Sequence, residues 1–158
     1  MIQRIQTVYL FLAAACSVAL FFFPVASFLS DLTYQKFYIT GLENMAPGSP
    51  AAIASSLVLP LAVVGAIMAI LALAGILTYK NRGLQLKLVT FGILLSVIMI
   101  AGIFFLYVPL IEKKLSVVPD YSGSVGIYFP LIALVLFILA NRAIRRDDKL
   151  VKSLDRLR

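Results

Sequence analysis

Histidine is absent from this sequence. Its absence removes His-based general acid-base catalysis, imidazole metal sites and His-ligated haem. Cysteine occurs once, as Cys16 inside an apolar run, so one chain can build neither a disulfide framework nor a thiolate metal cluster. Charge is scarce as well, at 13% of residues where soluble domains carry about a quarter. No ionisable side chain stands in the middle of any long apolar run. Such groups mark ion paths, proton relays and intramembrane catalysis. Their lack argues against an antiporter built on a buried carboxylate and against a protease using paired aspartates or a Ser-His pair. A thiol oxidase needing two cysteines and a metal-dependent membrane hydrolase fail on the same grounds. The expectation is a chain with no catalytic residue, no cofactor and no metal.

What is present is apolar. Hydrophobic residues make up 62% of the 158, and the mean hydropathy of +1.03 points to lipid as the solvent. The apolar runs fall at about 5–29, 50–79, 85–111 and 125–140. Four spans of about 20 residues with short connections use nearly the whole length, which predicts one membrane domain over 1–158. The fold class expected is an all-α, four-transmembrane-helix bundle, with room for a short β-hairpin or strand pair in the periplasmic loops.

The first run lies between Arg4 and Asp31. A cleaved signal peptide is the rival reading, since Arg4 makes a short basic region and Ala13-Ala14-Ala15-Cys16 loosely matches a lipoprotein cleavage site. Against it, Ala13 stands where a larger aliphatic is usual, and the chain stays apolar after Cys16. The 30–49 connection is long for a structureless loop, and Thr33 to Thr40 is rich in β-branched and aromatic residues, so a strand or hairpin is expected there. In the second outer loop Ser116, Val117 and Val118 are a candidate strand to pair with it. Ser49 and Pro50 suit a helix start, and Gly83 suits a left-handed position past the end of the second span.

Hydroxyls at Ser17, Ser27, Ser55, Ser56, Thr78, Thr90 and Ser96 fall within the spans, where returning to the helix backbone is their ordinary role. Pro24, Pro60, Pro109 and Pro130 place one proline in or at the end of each span. Kinking is the plain reading, and exposing backbone to a substrate is the functional one. On the second span Ala62, Gly65, Ala66, Ala69 and Ala72, continued by Gly75, form small-xxx-small repeats. They read as a helix-packing face, within the bundle or toward another membrane protein.

After Asn141 the chain is basic, with Arg142, Arg145, Arg146, Lys149, Lys152, Arg156 and Arg158 against three aspartates. Leu150, Val151, Leu154 and Leu157 recur at helical spacing, so 141–158 reads as an amphipathic tail continuing the fourth helix, its stripe interrupted by Asp147. The basic residues are candidate contacts for anionic lipid at the cytoplasmic face or for a partner. Without aromatic interleaving or a Gly-rich phosphate loop they do not indicate specific nucleic-acid binding.

Placing the N-terminus, the turn at 80–87 and the tail on one side puts eleven Lys and Arg there and leaves only Lys36, Lys113 and Lys114 opposite. That bias predicts cytoplasmic termini and an even number of spans.

The opening MIQRIQTVYLFLAA and the closing ANRAIRRDDKLVKSLDRLR resemble a family of small membrane proteins found in Bacteroidetes, the domain-of-unknown-function family 4293. The likeness runs over the whole chain. It implies a bacterial inner-membrane location and four helices with a charged tail. No activity is attached to that family, so no functional residue is carried over. The function expected is a non-enzymatic subunit, assembly factor or scaffold of a larger membrane protein complex. The alternative is a transporter or binder of a small apolar molecule or lipid, with a cavity opened by the prolines. An enzyme would need a site made from loop residues such as Asp31, Glu43, Glu112, Asp120 and Tyr121.

Overall fold

Pro24 decides how the first apolar run is used. The computed structural model describes residues 3–30, 33–45, 55–121 and 123–155. Helix α1 covers Gln3–Ala19, and hydrogen-bonded turns from Leu20 to Cys16 and from Phe21 to Val18 bring the chain to Pro24. Proline lacks an N–H and disfavours helical backbone at its predecessor, so helix is not resumed after these turns. Val25 then donates to the Phe37 carbonyl at 2.7 Å, and Ala26–Ser30 become strand β1. The expected span over 5–29 is thus corrected to a 17-residue helix followed by a strand. Hydropathy alone does not tell a buried strand from a continuing helix.

Strand β1 pairs antiparallel with β2, Thr33–Tyr38, which pairs with β3, Gly41–Asn44. The expected strand at 33–40 is there. Alternation sends Gln35, Phe37 and Ile39 inward while Tyr34, Lys36 and Tyr38 stay half-buried. A fourth short strand, β4 at Pro119–Asp120, closes the order β3-β2-β1-β4. Two expectations are corrected here. The second outer loop adds its strand at 119–120 and not at 116–118, and it joins β1 through Ser27 and Phe28, not the 33–40 segment. Ser116 instead ends the preceding helix with φ of 54°, its N–H returning to the Glu112 carbonyl at 2.8 Å. A strand at 116–118 would have required that left-handed residue to extend.

Helix α2 covers Ser55–Leu77, with Pro60 inside it. The proposed start at Ser49 and Pro50 lies outside the described residues. Its far end is tied off by Thr78, which donates both its N–H and its hydroxyl to the Ala74 carbonyl. Asn81 then caps helix α3, its Oδ1 accepting from the Leu84 N–H at 3.2 Å. Gly83 therefore lies in the first turn of α3 and not in a left-handed position, because the asparagine side chain restarts the helix at Arg82.

Helix α3 runs over Arg82–Leu115, 34 residues or about 50 Å at 1.5 Å each. Its buried positions include Gln85, Val89, Gly92, Ser96, Met99 and Ile103, then Val108 and Ile111. Steps of three or four residues keep these on one face, but Ile103 to Val108 is a step of five. An α-helix would turn Val108 off that face. The π-helical segment Gly102–Tyr107 absorbs the extra residue, and the Val108 N–H bonds to the Ile103 carbonyl. The face regained carries Val108 and Ile111 into the core beneath the sheet, and Tyr107 stacks on Phe37 with ring centroids 6.4 Å apart.

A 3-10 turn at Val125–Ile127 leads into helix α4, Tyr128–Asp155. This helix passes straight from the expected span at 125–140 into the tail. Its buried face reads Ala133, Phe137, Ala140, Ile144 and Asp147, so the aspartate continues the stripe instead of interrupting it. Leu150 and Val151, expected to carry the apolar face onward, are exposed at 45% and 39%.

Each helix packs on two others, α1 on α2 and α4, and α3 on α2 and α4. The sheet lies where α1 and α3 end and α2 and α4 begin, and the turn at 78–81 and the tail lie at the opposite end. Leu10, Ala13, Met68, Ala72, Val89, Met99 and Phe137 fill the bundle, and Leu20, Val25, Phe28, Ile39 and Ile111 continue the core under the sheet. Outward stand Phe11, Leu59, Ile70, Leu77 and Phe105, the last 85% exposed. A continuous apolar exterior of this kind is foreign to water-facing domains. Three helices, Leu57–Leu77, Arg82–Leu115 and Val125–Val151, are long and apolar enough to cross a membrane, and α1 is a shorter apolar helix.

Candidate functional site

Polar side chains gather at the tail end of the bundle. Arg82, first residue of α3, reaches α4, where its Nη1 donates to the Asp147 carbonyl at 3.0 Å and its Nη2 lies 3.5 Å from the Asp147 carboxylate. One turn deeper, Gln85 Nε2 donates to the Gly75 carbonyl of α2 at 2.8 Å, fully inside the protein. On the neighbouring face a chain of bonds links α4 to α3. Arg145 Nε donates to Asn141 Oδ1 at 2.7 Å, Asn141 Nδ2 donates to Thr90 Oγ1 at 2.9 Å, and Thr90 donates to the Leu86 carbonyl at 2.8 Å. These bonds hold three helices in register where their ends meet.

The basic tail residues divide between two grooves. Arg145 borders one with Leu86, Lys87, Thr90, Phe91 and Leu94, between α3 and α4. Arg142 and Arg146, one turn apart and both exposed, border a second of about 580 Å³ between α4 and α1, whose other walls are Ile5, Tyr9, Leu139 and Ala143. Lys149 is exposed. The side chains of Lys152, Arg156 and Arg158 lie outside what the structure describes, as do Leu154 and Leu157. A third groove, of about 670 Å³ and almost wholly apolar, runs between α1 and α2 past Val8, Phe11, Leu12 and Leu77.

The small-residue face of α2 looks into the protein. Gly65, Ala69 and Ala72 are buried, while Ala62 and Ala66 are half-buried. A methyl group at Gly65 would stand 3.2 Å from Ile39 Cδ1, and one at Gly75 would stand 3.2 Å from Leu10 Cδ1. Close packing inside the chain therefore uses this face.

Most of the helical hydroxyls return to their own helix backbone. Ser17, Thr78 and Ser96 donate to the carbonyls of Ala13, Ala74 and Gly92, each one turn earlier. Ser27 differs because its residue is in β1, and it donates across the sheet to the Asp120 carbonyl at 2.9 Å. The side chains of Ser55 and Ser56 are outside what is described.

At the sheet end, Glu43, Glu112 and Asp120 are exposed, and Asp31 lies outside the described residues. Tyr121 is half-buried beside Phe104, ring centroids 6.3 Å apart. Burial pushes its phenol above the ordinary value, and the Glu112 carboxylate adds to the effect. Among the described residues no three Cys, Asp or Glu side chains form a group able to hold a metal ion.

Sequence reading missed three residues that organise this architecture. In the sequence Arg82 stands out only as a charge. Gly92 gives way to the Phe137 ring, and Gly126 lies so close to the Phe23 and Pro24 carbonyls that no side chain fits. A glycine in a span is a visible signal, but which neighbour it admits is not.

A family model described as a domain of unknown function (DUF4293) matches residues 2–157. The chain belongs to this family. No curated protein and no solved structure matches it. The DUF4293 match takes in the sheet as well as the four helices, and both ends of the Arg82 to Asp147 link fall inside it.

Proposed function

We propose that this chain is a non-enzymatic, four-span protein of a bacterial inner membrane with both termini in the cytoplasm, acting as a subunit, assembly factor or scaffold of a larger membrane complex. The observation that carries this reading is the filled interior of the bundle. From Leu10 and Met68 through Met99 to Phe137 and Ile144 the inward side chains are apolar and buried; Ser17, Gln85, Ser96 and Asn141 bond to backbone or to another side chain, and Gln6 Nε2 is buried without a partner among the described residues. Among the described residues that packing brings no acid, base or nucleophile to a common space, and it weighs against a substrate path along the axis. The grooves lie on the outside of the bundle, between neighbouring helices.

At 17 residues, α1 spans about 25 Å, near the lower limit for crossing a hydrocarbon core of about 30 Å. The apolar segment from Leu20 to Val25 that follows it, buried or half-buried except for Phe22 and Phe23, supplies the remaining thickness. Orientation is supported by Lys80, Arg82, Lys87 and the tail cations at one end of the bundle, against Lys36, Lys113 and Lys114 at the other.

Two measurements test the proposal. A reporter active only in the cytoplasm, fused after Arg158, is expected to be active, and activity of a periplasm-only reporter there overturns the topology. Extraction in several mild detergents with in-membrane crosslinking is expected to yield one stoichiometric membrane partner. A chain that stays alone under all of them overturns the subunit reading.

A further inference from the structure

We propose that the groove between α1 and α4 is a binding site for one anionic diacyl phospholipid, its phosphate held by Arg142 and Arg146. The site rests on the membrane reading above and goes beyond it by naming the ligand and its contacts.

The groove has two chemically different parts. Ile5, Leu139 and Ala143 give apolar walls from two helices, and Tyr9 adds a ring with a polar tip. Arg142 and Arg146 stand on one face of α4 at i, i+4 spacing, about 6 Å apart at their Cβ atoms. Guanidinium groups bind phosphate oxygens with paired N–H donors, and arginine is weakly enough hydrated to do so beside an apolar wall. Among the described residues no acidic side chain lines the groove. Neither arginine is paired with a carboxylate among the described residues, in contrast to Arg82 with Asp147 and to Arg145, whose Nε is bound to Asn141. Two cations are therefore left at the mouth of an apolar cleft without a counter-charge among the described residues.

Position along the bundle fits the same ligand. Leu139 and Ala140 end the apolar length of α4, and the polar tail begins directly after them at Asn141, so the arginines fall at headgroup depth with acyl-chain depth beneath. A free phosphate would use the arginines alone. A lipid uses the apolar walls as well, which is why a phospholipid is the occupant proposed.

The test is native mass spectrometry of the intact chain released from detergent with added phosphatidylglycerol, phosphatidylcholine or inorganic phosphate. One phosphatidylglycerol is expected to be retained in preference to phosphatidylcholine, and excess inorganic phosphate should not displace it. With each arginine that holds the phosphate contributing about a fivefold change in affinity, Arg142→Gln and Arg146→Gln are each expected to weaken retention about fivefold and the double variant about thirtyfold. Lys149→Gln, exposed on the same helix but outside the groove, should change it less than twofold. Ala143→Phe, which fills the groove and leaves the charge intact, should also reduce retention, with Tm recorded for every variant to show that the fold is kept.

Equal losses for Lys149→Gln and the arginine variants would mean a diffuse surface field and overturn the site. So would full retention in a folded Ala143→Phe, displacement by inorganic phosphate, or equal retention of phosphatidylcholine. None of these outcomes bears on the reporter topology or the crosslinked partner, so the site and the proposed function fail separately.

Discussion

The ring of Phe137 on α4 occupies the space a side chain at Gly92 on α3 would need, since a methyl group there would stand 2.7 Å from Phe137 Cε1. Both residues are buried, and the contact sets how near the two helices approach. Gly92→Ala is therefore expected to destabilise the bundle by about 1–3 kcal/mol despite alanine's better helix propensity. Phe137→Leu in the same chain should recover part of the loss. Thermal unfolding in detergent measures both, and an unchanged Tm for Gly92→Ala contradicts the packing.

Gly126 meets backbone where Gly92 meets a side chain. Its N–H donates to the Pro24 carbonyl at 2.9 Å, and a Cβ there would collide with the Phe23 and Pro24 carbonyl oxygens. A ring can shift, whereas these carbonyls join α1 to the sheet. Gly126→Ala should cost more than Gly92→Ala and should raise protease sensitivity within 20–45. An equal or smaller loss of Tm refutes this ranking.

Arg82 and Asp147 join the turn at 78–81 to the start of the tail. The arginine is 24% exposed at its side chain, so solvent screening limits the carboxylate pairing to about 1 kcal/mol or less. Asp147→Asn keeps the backbone acceptor and should alter Tm little. Arg82→Ala removes both contacts and is expected to speed tryptic release of the tail. Identical cleavage rates for the two variants would show that the link does not hold the tail.

Tyr121 supplies a pH dependence at the sheet end. Burial first and Glu112 second hold its phenol above the ordinary value. A phenol harder to ionise in the folded chain stabilises the fold below the unfolded value of about 10, and that contribution is lost as pH rises through the folded value. Glu112→Gln should lower the Tyr121 titration partway, because burial remains. A ¹³C-tyrosine NMR titration in micelles reads it directly, and no movement on Glu112→Gln removes the carboxylate from the account.

The two ends of the bundle should differ in access. With Cys16 replaced by alanine, Lys80→Cys and Lys113→Cys place single thiols in the α2 to α3 turn and near the far end of α3. A membrane-impermeant maleimide added to intact spheroplasts is expected to label the second and spare the first. Labelling of both, or of Lys80→Cys alone, contradicts the orientation proposed.

Much of the architecture can be read from the residues alone, and the exceptions share a cause. The α2 to α3 turn and the unbroken passage of α4 into the tail follow from short-range signals, polar breakers in one case and their lack in the other. The strand at Thr33–Tyr38 follows from β-branched and aromatic composition. Asp147 was legible as a misfit in an apolar stripe but not as a partner for Arg82, because 65 residues separate them. Ser27 looked like a helical hydroxyl until Pro24 is seen to end α1 and hand the residue to a sheet.

Composition and charge placement by themselves determined that the chain is a helical protein of apolar exterior, which cations share an end, and that histidine and paired-cysteine chemistry are closed to it. These are sums over residues or properties of nearest neighbours, so no fold is needed to evaluate them. Only the tertiary structure decided where the first helix stops, that β4 closes on β1, that the small-residue face of α2 looks inward, and that Arg142 and Arg146 border a groove while Arg145 is bound to Asn141. Each of those depends on which distant segment occupies a given space. Close packing and hydrogen-bond pairing settle that question jointly, and sequence spacing does not record it.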